Sequence, residues 1–172
     1  MFTDIKGSTA LYDRLGDSAA YGLIRDHFDI LFQRVEQNNG VIVKTIGDSV
    51  MASFKRPVDG VAAAIAIQAA FAEYNRRESL RNEILVKIGL HAGSTIMVNL
   101  NNRLDYFGQA VNMAARIQCT AGGGDIVISS DIRHDPASIA TMRGRVTGLA
   151  KRIEKLKGIS EAQETYSLKF AV

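Results

Sequence analysis

The stretch VIVKTIGDSVMASF, residues 41–54, decides the fold of this chain. It consists of two runs rich in β-branched and apolar residues, 41–46 and 49–54, joined by the dipeptide Gly47-Asp48. A two-residue link of this kind between strand-like runs predicts a β-hairpin. Helices and strands alternate elsewhere along the chain, and a hairpin interrupts that alternation. The pattern therefore favours an α+β fold with a mostly antiparallel sheet over a doubly wound parallel sheet.

The segments around the hairpin predict a ferredoxin-like, palm-type βαββαβ core with extra C-terminal strands and flanking helices. Residues 8–38 are helix-rich: Ser18 is expected to cap a long helix that ends at 38–40, and Pro57 opens another that runs to about Arg76. The apolar face of the first long helix is expected to comprise Tyr21, Ile24, Phe28, Leu31, Phe32 and Val35. The later segments are predicted to be two strands within 84–98, a polar loop at 99–105, a helix at 108–118, a turn at 121–125, a strand at 126–129 and strands near 142–149 and 164–170.

Length and composition indicate one domain spanning residues 1–172. The 172 residues are 47% hydrophobic and 23% charged, which is typical of a globular domain with one sizeable core. A net charge of +3 without a dense basic run or an aromatic platform gives little support to nucleic-acid binding. Only Met1, Phe2 and Thr3 precede Asp4, so we expect most of the first strand and any regulatory region to lie upstream in a longer chain.

Cysteine content and hydrophobicity predict a cytoplasmic location. Cys119 is the only cysteine, so no intrachain disulfide can form, and a reducing compartment fits. The longest apolar stretch, VAAAIAIQAAFA at 61–72, is shorter than the roughly 20 residues that cross a bilayer. We expect this stretch to be a buried helix, and a membrane anchor elsewhere in a longer parent chain stays compatible with it.

Two aspartates are the first candidates for a metal site. Asp4, in FTDIKGST at 2–9, follows a short apolar run, and Asp48 lies in the hairpin turn. In a ferredoxin-like sheet the end of the first strand and the tip of the next hairpin can be neighbours, so both carboxylates could share Mg²⁺ ions with a phosphate-bearing ligand. These residues alone leave a simpler interpretation open, namely that they only turn the chain and cap the next helix.

Four polar residues elsewhere in the sequence are further candidates. Asn112 and Arg116 are four residues apart on the predicted helix and therefore share a face. An amide and a cation on one face suit a phosphate-bearing ligand, although a solvated polar face has the same pattern. Lys44 lies inside VIVKTI, where alternation alone could point it at solvent, and Asp105 could simply cap a helix.

Taken together, these residues resemble the class III nucleotide cyclase catalytic domain of the adenylyl type. The segments FTDIKGST, KTIGDSVMASF, IGLHAG, LDYFGQAVNMAARIQ and LKG occur in the order and at the spacing of that family. The resemblance spans Phe2 to about Leu168, and the combination is highly specific although each segment alone is weak. It implies an enzyme that converts ATP to 3′,5′-cyclic AMP and pyrophosphate in cyclic-nucleotide signalling.

The resemblance implies how this chain would hold metal and triphosphate. Asp4, Asp48 and the carbonyl of Ile5 match the ligands of two divalent cations per site, Mg²⁺ or Mn²⁺. The triphosphate is expected to approach the backbone at the following helix start, where glycine lacks a side chain that would block it. The residues concerned are Gly7, Ser8 and Thr9.

The resemblance also implies roles for the polar residues in the middle and at the end of the chain. Lys44 and Asp105 match the pair that recognises the purine. Asn112 matches the residue that orients the ribose, and Arg116 matches the arginine that stabilises the transition state. Lys157, in KLKGIS, matches a phosphate-binding lysine.

Hydrogen-bonding chemistry favours ATP over GTP as the substrate. Adenine N1 accepts a hydrogen bond and N6 donates one, so Lys44 can donate to the first and Asp105 can accept from the second. Guanine presents the reverse pattern, N1–H and O6, and leaves both side chains mismatched. Because a buried unsatisfied polar group costs about 1–3 kcal/mol, two mismatches predict roughly 10²–10⁴-fold discrimination. A guanylate cyclase is the alternative enzyme.

In this family the active site lies between two copies of the domain. One copy supplies the metal aspartates and the other supplies the purine pair, Asn112 and Arg116; this chain contains both sets. We therefore expect a symmetric homodimer with two equivalent sites. A catalytically silent nucleotide-binding or dimerising module is a further alternative, against which the completeness of the set argues. A diguanylate cyclase is disfavoured because the turn reads TIGDSV rather than GGDEF.

Overall fold

The computed structural model describes residues 1–77, 83–100 and 102–170 of the chain. Its strands are β1 (Phe2–Ile5), β2 (Gly40–Ile46), β3 (Ser49–Phe54), β4 (Val86–Leu90), β5 (Ile96–Leu100), β6 (Arg103–Phe107), β7 (Asp125–Ser129), β8 (Val146–Glu154) and β9 (Gln163–Phe170). Its helices are α1 (Ser8–Leu15), α2 (Asp17–Gln37), α3 (Pro57–Arg77), α4 (Gln109–Cys119), α5 (Ser130–Arg133) and α6 (Pro136–Met142). The order of elements from β1 to β4 confirms the predicted βαββαβ core.

Seven strands form one sheet in the order β2-β3-β1-β4-β7-β9-β8. All neighbours in this sheet are antiparallel except β4 and β7, which run parallel. The predicted α+β fold with a mostly antiparallel sheet and flanking helices is therefore confirmed. The strands β5 and β6 form a separate antiparallel pair, which we call the arm.

The predicted hairpin consists of β2 and β3, with Gly47 and Asp48 as its turn. Gly47 has a φ of 62°, in the left-handed region that glycine adopts without strain. Ile46 pairs with Ser49 across this turn. Because β1 pairs with the other side of β3, the end of β1 lies beside the tip of the hairpin.

The two faces of the sheet are covered differently. On one face, the central strands pack in the main core with α2, α3 and α6 through Ile5, Val50, Val86, Ile88, Leu90, Ile126 and Ile128. On the other face, α4 crosses β4 so closely that a Cβ on Gly89 would lie 2.2 Å from the backbone nitrogen of Gln118. Only glycine fits at that crossing. A smaller apolar cluster on this side includes Met113, Ile117 and Val127.

Strand pairing assigns the side chains of Asp4 in β1 and Lys44 in β2 to the face that α4 covers. Phe2 lies opposite both Gly89 and Met51, and Met51 lies opposite Lys44. Residues directly opposite one another in an antiparallel ladder share a face, and so do residues two apart along a strand. Lys44 and Asp4 are therefore both on the α4 face.

The helix α2 differs from its prediction at its start and on one face. It begins at Asp17 after Gly16, so Ser18 lies inside its first turn and is not the cap. Tyr21 is 66% exposed. The buried stripe comprises Ala20, Leu23, Ile24, His27, Leu31 and Val35. Neighbouring helical positions are rotated by about 100°, so burial of Ala20 turns Tyr21 out to solvent.

Two segments after β4 also differ from their predictions. The expected loop at 99–105 is the end of the arm, because β5 continues to Leu100 and β6 begins at Arg103; Asn101 lies outside the described residues. The helices α5 and α6, of 4 and 7 residues, are too short to show a helical period in the sequence. Because α6 continues to Met142, the strand expected near 142–149 begins only at Val146.

The other long elements agree with their predictions. The helices expected at 57–76 and 108–118 are α3 and α4, and the strand expected at 126–129 is β7. The apolar stretch 61–72 lies in α3 and is largely buried. Within the described ranges, no helix combines the length and the hydrophobicity that a bilayer span requires.

Candidate active site

Asp4 and Asp48 lie together where the end of β1 meets the tip of the hairpin. Oδ1 of Asp4 accepts a hydrogen bond from Oγ of Ser49 at 2.6 Å. Oδ2 of Asp48 accepts a hydrogen bond from the backbone N–H of Ile5 at 3.2 Å. The two carboxylates that the sequence singles out are therefore brought to one place by the pairing of β1 with β3.

The electrostatic environment of Asp4 is that of a crowded carboxylate. Burial raises the pKa of Asp4 above its usual range, and the neighbouring charge of Asp48 raises it further. The hydrogen bond from Ser49 and the charge of Lys87 act in the opposite direction. Nζ of Lys87, in β4, lies 3.9 Å from Oδ2 of Asp4. A cation placed between the two aspartates would relieve their repulsion.

The donor set here fits a hard divalent cation. Two carboxylates and the carbonyl of Ile5 offer oxygen atoms, which Mg²⁺ prefers. Each carboxylate keeps one oxygen, Oδ2 of Asp4 and Oδ1 of Asp48, that accepts no hydrogen bond from the described residues. Among all the residues that the structure describes, no group of three or more His, Cys, Asp or Glu side chains is arranged to hold a metal ion. The remaining ligands would come from substrate phosphates and water.

The start of α1, at Ser8, lies four residues after Asp4 in the chain. Gly7 precedes the first residue of the helix and has φ 69° and ψ 32°. No side chain caps this end, so the N–H groups of the first turn, at Ser8 and Thr9, lack helical partners and suit phosphate oxygens. A Cβ at Gly7 would meet nothing within 4 Å, so the positive φ rather than crowding within the chain explains the glycine.

Lys44 and Asp105 form an ion pair between β2 and the arm. Nζ of Lys44 lies 2.6 Å from Oδ2 of Asp105. Oδ1 of Asp105 accepts a hydrogen bond from the backbone N–H of Tyr106 at 2.8 Å. The hydrogen bond from Lys44 and that from Tyr106 hold the pKa of Asp105 below its usual range. The two residues are 61 positions apart in the chain, and the structure brings them into direct contact.

Asn112 and Arg116 lie one helical turn apart on α4 and share a face, as predicted. Both are exposed, whereas Met113, Ala114 and Ile117 bury the opposite side of the helix. Lys157 lies in the exposed turn between β8 and β9.

The predicted residues fall into two groups that no hydrogen bond or ion pair among the described residues joins. Asp4, Asp48 and the start of α1 form one group. The Lys44–Asp105 pair and the exposed side of α4 carry the other candidate residues. Within the described residues, the Asp4–Asp48 group and the Lys44–Asp105 pair are therefore separate clusters.

Sequence reasoning missed two residues that interact with the carboxylate of Asp4, Ser49 and Lys87. Lys87 is a lone cation in the apolar run ILVKIGL at 84–90, which is a signal that the sequence does contain. Ser49 directly follows Asp48 and resembles any turn serine. The contacts of both residues with Asp4 depend on β1 lying between β3 and β4, which the sequence does not reveal.

The chain matches the family model of the adenylate and guanylate cyclase catalytic domain over residues 1–169. It is 28% identical to an adenylate cyclase of Lachancea kluyveri over 92% of this chain and 10% of that protein. It is 28% identical to an adenylate cyclase of Anabaena cylindrica over 98% of this chain and 36% of that protein. The chain thus spans well under half the length of both relatives.

A solved structure of an adenylate cyclase from Trypanosoma brucei in its monomeric state has the same fold. Its TM-score is 0.81, at 22% identity over 97% of this chain and 87% of that one. Solved guanylyl cyclase domains share the fold too, so the fold does not distinguish the two nucleotide specificities. Because the family model matches nearly the whole chain, residues 1–169, the chain belongs to the adenylate and guanylate cyclase catalytic domain family.

Proposed function

We propose that this domain is an adenylate cyclase, which converts ATP to 3′,5′-cyclic AMP and pyrophosphate in cyclic-nucleotide signalling. The observation that carries the proposal is the ion pair between Lys44 and Asp105, with 2.6 Å between Nζ and Oδ2. It places one donor and one acceptor side by side on the face of the sheet that α4 covers. The adenylate cyclase relatives at 28% identity support the same specificity.

The pair retains the hydrogen-bonding capacity that adenine needs. Lys44 carries three N–H donors, of which Asp105 uses one, so others remain for adenine N1. Each carboxylate oxygen of Asp105 can accept more than one hydrogen bond, so N6–H can share Asp105 with its present donors. The side chains of Lys44 and Asp105 are 39% and 20% exposed, so a base can reach both. Guanine would place a donor against Lys44 and an acceptor against Asp105.

The carboxylate group provides the cation-binding half of the site. Asp4, Asp48 and the carbonyl of Ile5 would hold two divalent cations, Mg²⁺ or Mn²⁺. Bound there, such cations lower the pKa of the ribose 3′-hydroxyl and neutralise phosphate charge. Lys87 lies beside Asp4 and adds a positive charge where the triphosphate would lie. The backbone at the start of α1 supplies N–H donors to phosphate oxygens at Gly7, Ser8 and Thr9.

The polar side of α4 acts on the reacting part of ATP. Arg116 stabilises the charge that develops on the α-phosphate, because a guanidinium is a cation that can make two parallel hydrogen bonds to phosphate oxygens. Asn112, one helical turn earlier on the same face, orients the ribose. Lys157 contributes to phosphate binding from the turn between β8 and β9.

We propose that the two halves meet in a symmetric homodimer with ATP bound at two equivalent interfacial sites. Both halves lie in the same chain, and no hydrogen bond or ion pair among the described residues joins them, so an isologous pairing of two copies would complete two equivalent sites. Large exposed apolar side chains near these halves suit such an interface. They are Ile46 at the hairpin tip and Ile96, Met97, Leu104 and Phe107 on the arm.

We further propose that residues 1–172 act as one catalytic domain in the cytoplasm. The free thiol of Cys119, the single cysteine of the chain, fits a reducing compartment.

Product identification with purified protein tests the assigned specificity. With Mn²⁺ or Mg²⁺, the wild-type protein should form cyclic AMP from ATP roughly 10²–10⁴-fold faster than cyclic GMP from GTP. The double variant Lys44→Glu/Asp105→Ser reverses donor and acceptor, and we expect it to lose that preference. Cyclic GMP as the main wild-type product would identify a guanylate cyclase. Nucleotide binding without turnover by a demonstrable dimer would identify a catalytically silent module.

A further inference from the structure

Ser49 connects the two residues that we assign to metal binding. Its Oγ donates a hydrogen bond to Oδ1 of Asp4 at 2.6 Å, the short distance typical of a charged acceptor. Ser49 directly follows Asp48, and Asp48 accepts a hydrogen bond from the N–H of Ile5, which directly follows Asp4. Two hydrogen bonds thus join the consecutive residues Asp4 and Ile5 to the consecutive residues Asp48 and Ser49.

The serine hydroxyl determines which oxygen of Asp4 stays available. Because Oδ1 is hydrogen-bonded to Ser49, Oδ2 is the oxygen left without a hydrogen bond, and it is the one that Nζ of Lys87 approaches to 3.9 Å. The side chain of Asp4 would otherwise turn among several rotamers. A group that is already fixed loses less conformational entropy when it binds a ligand.

We propose that Ser49 is a positioning residue of the metal site: its hydroxyl fixes Asp4 so that Oδ2 faces the divalent cation. The inference rests on the proposed function, since that function assigns the cation to Asp4 and Asp48. Hydrogen-bonded partners of metal ligands commonly change metal affinity by about 10- to 100-fold when they are removed.

The hydroxyl is not required merely to join the strands. The pairing of β1 with β3 already places Phe2 opposite Met51 and Thr3 opposite Val50. The hydroxyl of Ser49 acts at the open end of this ladder, where its acceptor is the carboxylate itself. Its removal should therefore change the setting of Asp4 more than the stability of the sheet.

The test compares Ser49→Ala, Ser49→Thr and the matched control Ser53→Ala. Ser53 lies in the same strand and is also partly buried, and its side chain makes no hydrogen bond among the described residues. Mn²⁺ binding is measured by electron paramagnetic resonance in the presence of an ATP analogue that lacks the 3′-hydroxyl. We expect the Mn²⁺ dissociation constant to rise about 10- to 100-fold in Ser49→Ala and to stay at the wild-type value in the other two variants. In turnover, the half-saturating Mn²⁺ concentration should rise in Ser49→Ala while the rate at saturating Mn²⁺ is largely retained.

An unchanged Mn²⁺ affinity in folded Ser49→Ala would overturn the inference and leave the proposed function standing. If that variant does not fold, Ser49→Cys, which has a similar size and a weak donor, replaces it with the same expectation. Weaker Mn²⁺ binding in Ser49→Ala supports the inference even if the wild-type protein forms no cyclic AMP, which would contradict the proposed function alone. Failure of the wild-type protein to bind Mn²⁺ with the analogue would overturn both.

Discussion

Asp48 accepts a hydrogen bond at the tip of the hairpin and, in the proposed function, also binds a metal ion; only metal binding requires its charge. As a hydrogen-bond acceptor for the N–H of Ile5, it holds the end of β1 beside the turn. As a metal ligand, it would add negative charge beside Asp4, whose own carboxyl is already crowded. An asparagine could perform the first task and would fail at the second, so the two roles can be separated by substitution.

The variant Asp48→Asn should therefore stay folded and lose activity. Its amide oxygen can still accept from Ile5, so we expect the free energy of unfolding to change by no more than about 1 kcal/mol. We expect cyclic AMP formation to fall by about 100-fold or more, since losing a ligand should exceed the effect of losing its hydrogen-bond partner. Urea unfolding and product formation measure the two effects. A folded variant with near wild-type activity would remove Asp48 from the site.

The arm is the element that connects the proposed purine-binding pair with the proposed interface. Ile96 pairs with Phe107, and Val98 pairs with Asp105, so Ile96 and Phe107 lie on the arm face that carries Asp105. The ion pair with Lys44 holds this face towards β2. Within the described structure, the arm contributes to neither apolar core cluster. Its large apolar side chains are exposed instead. A second copy of the chain would give these side chains an apolar contact surface.

The variant Ile96→Glu should weaken the dimer without unfolding the chain. Ile96 is 67% exposed, so a charge there is tolerated in the monomer but is placed against an apolar partner surface in the dimer. We expect the dimer dissociation constant, measured by analytical ultracentrifugation, to rise about tenfold or more, as for other central apolar contacts. Tyr21→Glu is the matched control, because Tyr21 is 66% exposed on α2, on the opposite side of the sheet. If the two variants raise the dimer dissociation constant equally, or if neither raises it, the arm is not part of the interface.

The elements differ in how well their sequences predict them. The hairpin is predictable because Gly47-Asp48 lies between two β-branched runs, and α3 and α4 are predictable because they are long. The arm is hidden by its polar end, NLNNRLD, because the two strands do not show the alternation of a sheet with one buried face. The sequence singles out Lys44 and Asp105 as candidates, but their contact depends on how the arm packs against β2. The contacts of Ser49 and Lys87 with Asp4 depend on the pairing of β1 with β3 and β4.

At the scale of the whole molecule, the two faces of the sheet differ in what they pack against. One face packs against long helices in the main core, whereas the other carries the candidate residues beside α4. His27 belongs to the core side. It is fully buried, with ring centroids 5.4 Å from Phe28 and 5.5 Å from Phe71. Burial lowers the pKa of His27 to about 4, and the nearby Asp48 opposes this shift without reversing it.

Protonation of His27 should make the protein less stable in acid. The pKa of an unfolded histidine is about 6.5, so below that pH the unfolded state binds a proton that the folded state excludes. Stability should therefore fall as the pH drops from about 6.5 to about 4, by about 2 kcal/mol at pH 5. Urea unfolding at several pH values should show a shallower loss in His27→Leu than in the wild-type protein. Equal pH dependence of the two proteins would contradict this origin.

The central claim is that each active site is shared by two copies of the chain, and mixing two inactive variants tests it most directly. Asp48→Asn impairs the cation-binding half and Arg116→Ala impairs the half on α4. Each variant alone should form almost no cyclic AMP. An equimolar mixture that exchanges subunits freely should recover about a quarter of the wild-type activity, since half of the dimers are mixed and each has one intact site.

A mixture of Asp48→Asn with Asp4→Asn is the control. Both changes lie in the same half of the site, so no intact site can form in a mixed dimer and no activity should return. Recovery in the first mixture and not in the second is the result that the shared-site account predicts. No recovery in the first mixture, with mixed dimers demonstrated by mass spectrometry, would contradict it.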